Sequence, residues 1–269
     1  MFSRTLLADK HSETIATHQR IVRASRREAL KYLPRTAKLP SAKQINRFEG
    51  KNGPDGLAGK HNVLDFPTEF VDPENNDGLL FQNIKNHMHA LRIAYRQKNS
   101  VRVAFEMAWL EHIIVDGLTP AHHQPFKQQI KDLDPREAEE INGLFKRIFM
   151  PGDNMFDVFI KNWKRLGPGG LGTAHIMFEA GIDFIMMPLP PSTFETNFTV
   201  QELVKARGGR YLQLYDSSIR RINQLHMFER YEEEGWTTSL AADVRETLLP
   251  ECVKMVTLAW LAAMPRRKK

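Results

Sequence analysis

Cysteine is almost missing from this chain: Cys252 is the one thiol in 269 residues, which excludes an internal disulfide framework. Long apolar runs are missing as well. No uninterrupted stretch approaches the roughly 20 residues of a membrane-crossing helix. The opening Met1-Phe-Ser-Arg-Thr-Leu-Leu-Ala-Asp9 turns to charge before the apolar centre of a secretory signal accrues. Alternating strand patterns are scarce, and neither internal repeats nor low-complexity tracts occur. Together these absences predict a cytoplasmic, all-α protein. Hydrophobic content of 42% and charged content of 26% are those of an ordinary globular chain, long enough to bury a full-sized core as one domain.

Charge is present with a bias. Lys and Arg number 38 against 32 Asp and Glu, for a net charge of +6 and a pI near 9.4. A basic surface suits phosphate-bearing partners, anionic lipid or nucleic acid, and the other reading is plain solubility. The terminal Pro265-Arg-Arg-Lys-Lys269 reads as a solvated tail, with electrostatic tethering to membrane or nucleic acid as the alternative.

Apolar periodicity predicts a basic amphipathic helix over 13–33 and two long helices over about 79–97 and 99–116, parted at Lys98-Asn-Ser100. Asp134-Pro-Arg-Glu137 is a helix start with cap, first-turn proline and acidic third position, opening a helix to about Phe149. Asp153 can cap the next, to about Leu166. Further helices are expected over about 199–206, 210–232, 238–248 and 250–263. From Pro34 to Asp77 the chain is rich in Gly, Pro, Asn and Asp and reads as one long irregular segment. Gly167-Pro-Gly169-Gly-Leu-Gly172 fits the dinucleotide fingerprint in spacing, but what precedes it is helical rather than a strand, so it reads as a flexible lead-in loop. His87 and His89, two apart on a helix, face different directions and are expected at the surface. Met177, Phe184, Met186 and Met187 are expected in the core.

The most specific run is Trp109-Leu-Glu-His112-Ile-Ile-Val-Asp116-Gly-Leu-Thr-Pro120-Ala-His122-His123. On a helix His112 and Asp116 stand one turn apart on one face, so both reach one point in space. Pro120 stops the helix and turns His122 back toward that point. With 10 His in the chain, chance supplies roughly 0.02 such triplets before the proline is demanded. A second fragment, His175-Ile-Met-Phe-Glu179, repeats the one-turn pairing. Imidazoles and carboxylates together form a donor set that zinc takes. The alternative for the central run is a buried His112 bonded to Asp116 with no metal. His123, beside His122, supports the ligands from behind, contacts substrate, or is an exposed bystander.

These residues resemble the zinc-dependent bacterial phospholipases C, relatives of the single-strand-specific zinc nucleases. Their signature is His-x-x-x-Asp, then Pro, then His, with the spacing of His112, Asp116, Pro120 and His122, followed farther on by a His-x-x-x-Glu pair like His175 and Glu179. The resemblance spans roughly residues 12 to 185 and implies an all-helical domain, here with a helical insertion over Asp134 to Leu166, C-terminal helices over about 199–263 and the tail 265–269. It implies up to three zinc ions. By that resemblance Asp116 bridges two of them, and His122, His175 and Glu179 hold the third. His18, in Thr17-His18-Gln-Arg-Ile-Val, matches an amino-terminal ligand. Glu69, in Glu69-Phe-Val-Asp72-Pro73, stands where the family has a histidine ligand, and Asp55, in Asn52-Gly-Pro-Asp-Gly56, matches an upstream aspartate. His61 and Asp65 compete with Asp55 and Glu69 for those places. The chain has no Trp upstream of His18, the family's further ligand. The irregular segment 34–77 then either folds over a metal cluster, donating Asp55 and Glu69, or is a disordered loop. The implied activity is hydrolysis of a phosphodiester, in a phospholipid headgroup or a nucleic acid. Asp55 would take the proton of the attacking water, and the basic surface offers a peripheral membrane contact.

Overall fold

The computed structural model describes residues 16–34, 36–49, 53–54, 72–73, 79–123, 171–190, 196 and 198–264, among which every regular element is helical and no strand occurs. The order is α1 (Thr17–Tyr32), α2 (Ala42–Asn46), α3 (Leu79–Arg96), α4 (Ser100–Leu118), a 3-10 turn (Pro120–His122), α5 (Leu171–Met186), α6 (Val200–Lys205), α7 (Tyr211–Asn223), α8 (Met227–Glu234), α9 (Thr238–Asp243) and α10 (Leu249–Ala263). The all-α expectation therefore holds. The helices expected at 134–149 and 153–166 and the tail 265–269 lie outside the described residues. No helix among the described residues is long and apolar enough to cross a membrane.

Two helices form the axis of the domain because their sequences are apolar on nearly every side. From Leu249 to Ala263, α10 exposes almost nothing, and α4 is buried from Met107 to Leu118 apart from Trp109. Such helices are stable only when surrounded. Accordingly α1, α3, α4 and α7 all pack on α10, and α3, α2 and α1 on α4. Leu110, Ile114 and Leu118, each at 0% exposure, contribute about 1.5–3 kcal/mol apiece by leaving water. That gain would be lost if the polar members of α4, Glu106, Glu111, His112 and Asp116, were buried without partners. Each has one.

Local chemistry sets the ends of α4. The Asn99 side chain accepts from the Arg102 amide at 3.0 Å at the start. At the end Thr119 donates its amide to Asp116 O and its hydroxyl to Val115 O, both at 2.9 Å, and Pro120 opens the 3-10 turn. Helix α6 starts with a reciprocal box: Thr199 Oγ1 accepts from the Glu202 amide at 3.1 Å, while the Thr199 amide donates to Glu202 Oε2 at 2.7 Å. The run from α6 into α7 bends at Gly209, whose φ of 87° lies where side-chain-bearing residues are strained.

The one helix expected over 210–232 is two. His226 takes a left-handed conformation (φ 46°, ψ 41°) between α7 and α8, with no glycine or proline to announce it. The redirected α8 carries Phe228 and Tyr231 to Phe178 of α5, at ring separations of 5.3 and 5.4 Å, and Trp236 stacks on the same ring. Helix α5 uses one face for this: Phe178, Ile182 and Met186 are fully buried. Met186 is in the core as expected, but Met177, Phe184 and Met187 are 52%, 63% and 44% exposed, because the first two lie on the opposite face and Met187 follows the helix end. His89 is exposed as expected. His87 is half-buried: its Nδ1 lies 2.6 Å from Oε2 of the buried Glu106, to which Arg102 also pairs.

Directly after Asp116, Gly117 permits a close crossing. A Cβ there would collide with the Tyr215 hydroxyl and with Leu80 Cδ2. The hydroxyl uses the space to donate to Ile114 O at 2.9 Å, bolting α7 to α4. Gly117→Ala should therefore cost about 1–3 kcal/mol by overpacking, and Tyr215→Phe, which removes only the hydrogen bond, about 1 kcal/mol. Urea denaturation of the two variants checks the order; an equal or smaller loss for Gly117→Ala refutes the crossing as the reason for glycine.

Candidate metal centre

Helix α4 presents Glu111, His112 and Asp116 in the turns just before its end, and α1 presents His18 in its first turn. His18 Nε2 lies 3.3 Å from Asp116 Oδ1, and His112 Nε2 lies 3.1 Å from Asp116 Oδ2. The two imidazoles stack, with ring centres 4.5 Å apart and planes within 11°. The two oxygens of one carboxylate thus face two different imidazoles. On their far edges, His18 Nδ1 is 3.3 Å from both Glu111 oxygens, and His112 Nδ1 is 3.3 Å from Glu49 Oε2. Glu49 is held just past α2, which packs on α4. His18, His112, Glu111, Glu49 and Asp116 are all buried.

A second group forms where the 3-10 turn meets α5. His122 Nε2 and His175 Nε2 lie 3.0 and 3.2 Å from the same atom, Glu179 Oε1, with the rings edge to face. Pro120 turns the chain as expected, and the one-turn spacing of His175 and Glu179 supplies the rest. His123 is neither bystander nor exposed. It is buried, its Nε2–H donates to Gly117 O at 3.0 Å, and burial lowers its pKa to about 4, so it is neutral.

Six sequence-predicted ligands are therefore brought together in two clusters: His18, His112 and Asp116 in one, His122, His175 and Glu179 in the other. Asp55 and Glu69, and their competitors His61 and Asp65, lie outside the described residues. A third juxtaposition, His18 with Glu49 and Glu111, was not expected. Neither glutamate had a signal in the sequence: they meet their imidazoles across 93 and 63 positions, which no local spacing reports.

Whether these donors fit a metal can be tested on distance and charge. Ligands bound tetrahedrally to zinc at about 2.0–2.1 Å stand about 3.3 Å from one another, and the N-to-O separations at Asp116 and Glu179 are 3.0–3.3 Å. The first cluster also gathers three buried carboxylates about two imidazoles. Buried charge needs an opposite charge close by. Without a cation the proton has to serve. Burial works against a charged His18, but Glu111 and then Asp116 overcome it and push its pKa up to about 10. Burial pushes the Glu111 carboxyl up to about 7, with His18 opposing. Against the same burial, the imidazoles around Asp116 and Glu179 favour the charged form of both carboxyls. Divalent cations between the Nε2 atoms and the carboxylates would replace those protons, so the residues fit.

Two contacts fix α1 against α5, and with them the two clusters. Asp183 of α5 accepts from the Thr17 amide at 2.9 Å and from the Thr17 hydroxyl, satisfying a first-turn amide of α1. Arg20 donates to Met186 O and Met187 O at 2.7 and 3.0 Å, closing the carboxyl end of α5. Comparison with family models and with curated proteins finds no match to the chain.

Burial raises the Asp183 carboxyl from its ordinary 3.8 to about 6. The folded state therefore prefers it protonated, and its contribution to stability is present below pH 3.8 and lost as pH rises through about 6. Asp183→Asn keeps the acceptor oxygen and cannot ionise. In metal-free protein its stability advantage over the natural chain should grow as pH rises across that interval and stay level above it. Urea midpoints of both proteins across the range measure this; an advantage that shrinks would show that the negative charge is favoured there.

Proposed function

We propose that this chain is a zinc-dependent phosphodiester hydrolase of phospholipase C type, acting in the cytoplasm on phospholipid headgroups. The observation that carries the reading is the Asp116 carboxylate, whose two oxygens address imidazoles from two different helices beside a second His-His-Glu group. A carboxylate so placed suits the role of a bridge setting the distance between two ions. His18 and His112 offer one nitrogen each to the two sides of that bridge, and His122, His175 and Glu179 form a separate three-donor set. Zinc, when bound, lowers the pKa of a coordinated water and neutralises charge on phosphoryl oxygens. The protein's part is to keep the donors dry, oriented and close. Asp55 stands as proton acceptor and Glu69 as a further ligand by resemblance alone.

The preference for lipid over nucleic acid rests on the outer face of α5. Ile176, Met177, Phe184 and Met187 are 44–63% exposed on, or one residue beyond, the helix that carries His175 and Glu179. Apolar side chains exposed on the helix that carries two of the donors suit a lipid surface better than a polyphosphate backbone, which is met by basic groups. The net charge of +6 suits an anionic membrane for peripheral contact. The lone thiol, Cys252, is buried, in keeping with a reducing compartment.

Protein purified without chelator should contain two or three zinc ions per chain, and at free zinc 100-fold above Kd it should be stabilised by about 2.7 kcal/mol over the stripped form. It should cleave a chromogenic phosphodiester and phosphatidylcholine in vesicles faster than single-stranded DNA, and Asp116→Asn should abolish turnover. Zinc without turnover on any of the three substrates would reduce the protein to a metal-stabilised scaffold, and absence of zinc would end the reading altogether. Faster cleavage of DNA would reassign the substrate to nucleic acid.

A further inference from the structure

We propose that Glu111 and Glu49 are positioning residues which fix the tautomer and ring orientation of His18 and His112, so that both imidazoles present Nε2 to the two sides of Asp116. This rests on the metal reading above and adds to it two residues that no ligand pattern contains.

A neutral imidazole has one N–H donor and one lone-pair nitrogen, and only the latter binds a metal. Which nitrogen is free is decided by what accepts the N–H on the other edge. Each ring here meets carboxylate at both edges. Toward Asp116 both rings turn Nε2, and away from it both turn Nδ1 to a carboxylate at 3.3 Å: Glu111 for His18, Glu49 for His112. Both glutamates are buried, at 0% and 4% exposure, so the contacts are not made by solvated side chains in passing.

The arrangement is cross-braced by the helix itself. Glu111 and His112 are consecutive on α4 and so point about 100° apart. His112 stacks on the His18 ring, while Glu111 meets that ring's Nδ1 edge and Asp116, one turn on, meets its Nε2 edge. His18 is thus held on one face and both edges by three residues of one helix. The outer edge of His112 is met by Glu49, from beyond α2.

The same atoms allow a rival assignment. His18, Glu49 and Glu111 offer ligand atoms within 4.8 Å of one another, so the outer edge would itself hold a cation. The two assignments differ in what is lost when a glutamate is made neutral. A carboxylate that orients a ligand costs affinity and leaves the number of bound ions intact. A carboxylate that is a ligand costs an ion.

The test is zinc titration of chelator-stripped protein against a competing chromophoric chelator, for the natural chain, Glu111→Gln, Glu49→Gln and the control Glu106→Gln. Glu106 is as deeply buried on the same helix but serves His87 and Arg102. Each of the first two variants should weaken zinc binding by about 10–100-fold with unchanged stoichiometry at saturation, and the control should bind as the natural chain does. Equal affinity in folded Glu111→Gln and Glu49→Gln, or the loss of one equivalent of zinc, overturns the proposal. A natural chain that binds no zinc defeats the earlier reading instead. Should a variant not fold, nitrogen-15 NMR of histidine-labelled, zinc-loaded natural protein decides: His18 and His112 must both show a protonated Nδ1 and a metal-bound Nε2, and the opposite tautomer in either ring overturns the assignment.

Discussion

A single carboxylate, that of Asp116, shared between two stacked imidazoles, is the interaction on which the arrangement of this protein depends. It is buried in a largely apolar helix, and a charge in such a place is tolerated only among partners that answer it. The answer comes from α4 itself, through His112, and from α1, through His18. Because the partner helices must come this close, α1 is committed to packing across both α4 and α10, and the stacking of the two rings fixes how far it can slide.

The same demand explains the treatment of α5. An aromatic group of Phe228, Tyr231 and Trp236 clasps Phe178, and the Trp236 indole lies so near Gly181 that a Cβ there would strike it. Those contacts hold the inner face, one residue away from Glu179. Asp183 and Arg20 then tie the helix to α1 at its two nearest polar points. Packing sets the position of α5 and hydrogen bonds set its register. The polar ties involve backbone groups at helix ends, which need partners in any case, so they hold the register while also meeting that need.

Much of this was legible in the sequence, and the parts that were not share a cause. The run from His112 to His122 could be read because helical periodicity and proline act within a few residues, and they place donors in space without knowledge of the rest of the fold. The same is true of His175 with Glu179. Glu49, Glu111 and Asp183 could not be read, since their meaning lies wholly in which foreign helix packs alongside. Apolarity was also a poor guide on α5: Met177 and Phe184 have the character of core residues, but no described element covers their face. The break at His226 was silent because a histidine replaced the glycine that ordinarily marks a left-handed turn, while the apolar rhythm ran on through Met227 and Phe228.

Confinement of Glu111, His112, Asp116 and His122 to twelve consecutive positions has a consequence for how this chain can change over time. Adding or deleting one residue between Glu111 and Asp116 would rotate everything beyond it by about 100°, scattering bridge, turn and second cluster in one event. By contrast, the interval from His123 to Leu171 carries none of the six gathered donors, and α5 is seated by its own contacts. Lineages descended from this chain should therefore vary freely in length between those two points and scarcely at all within the dozen.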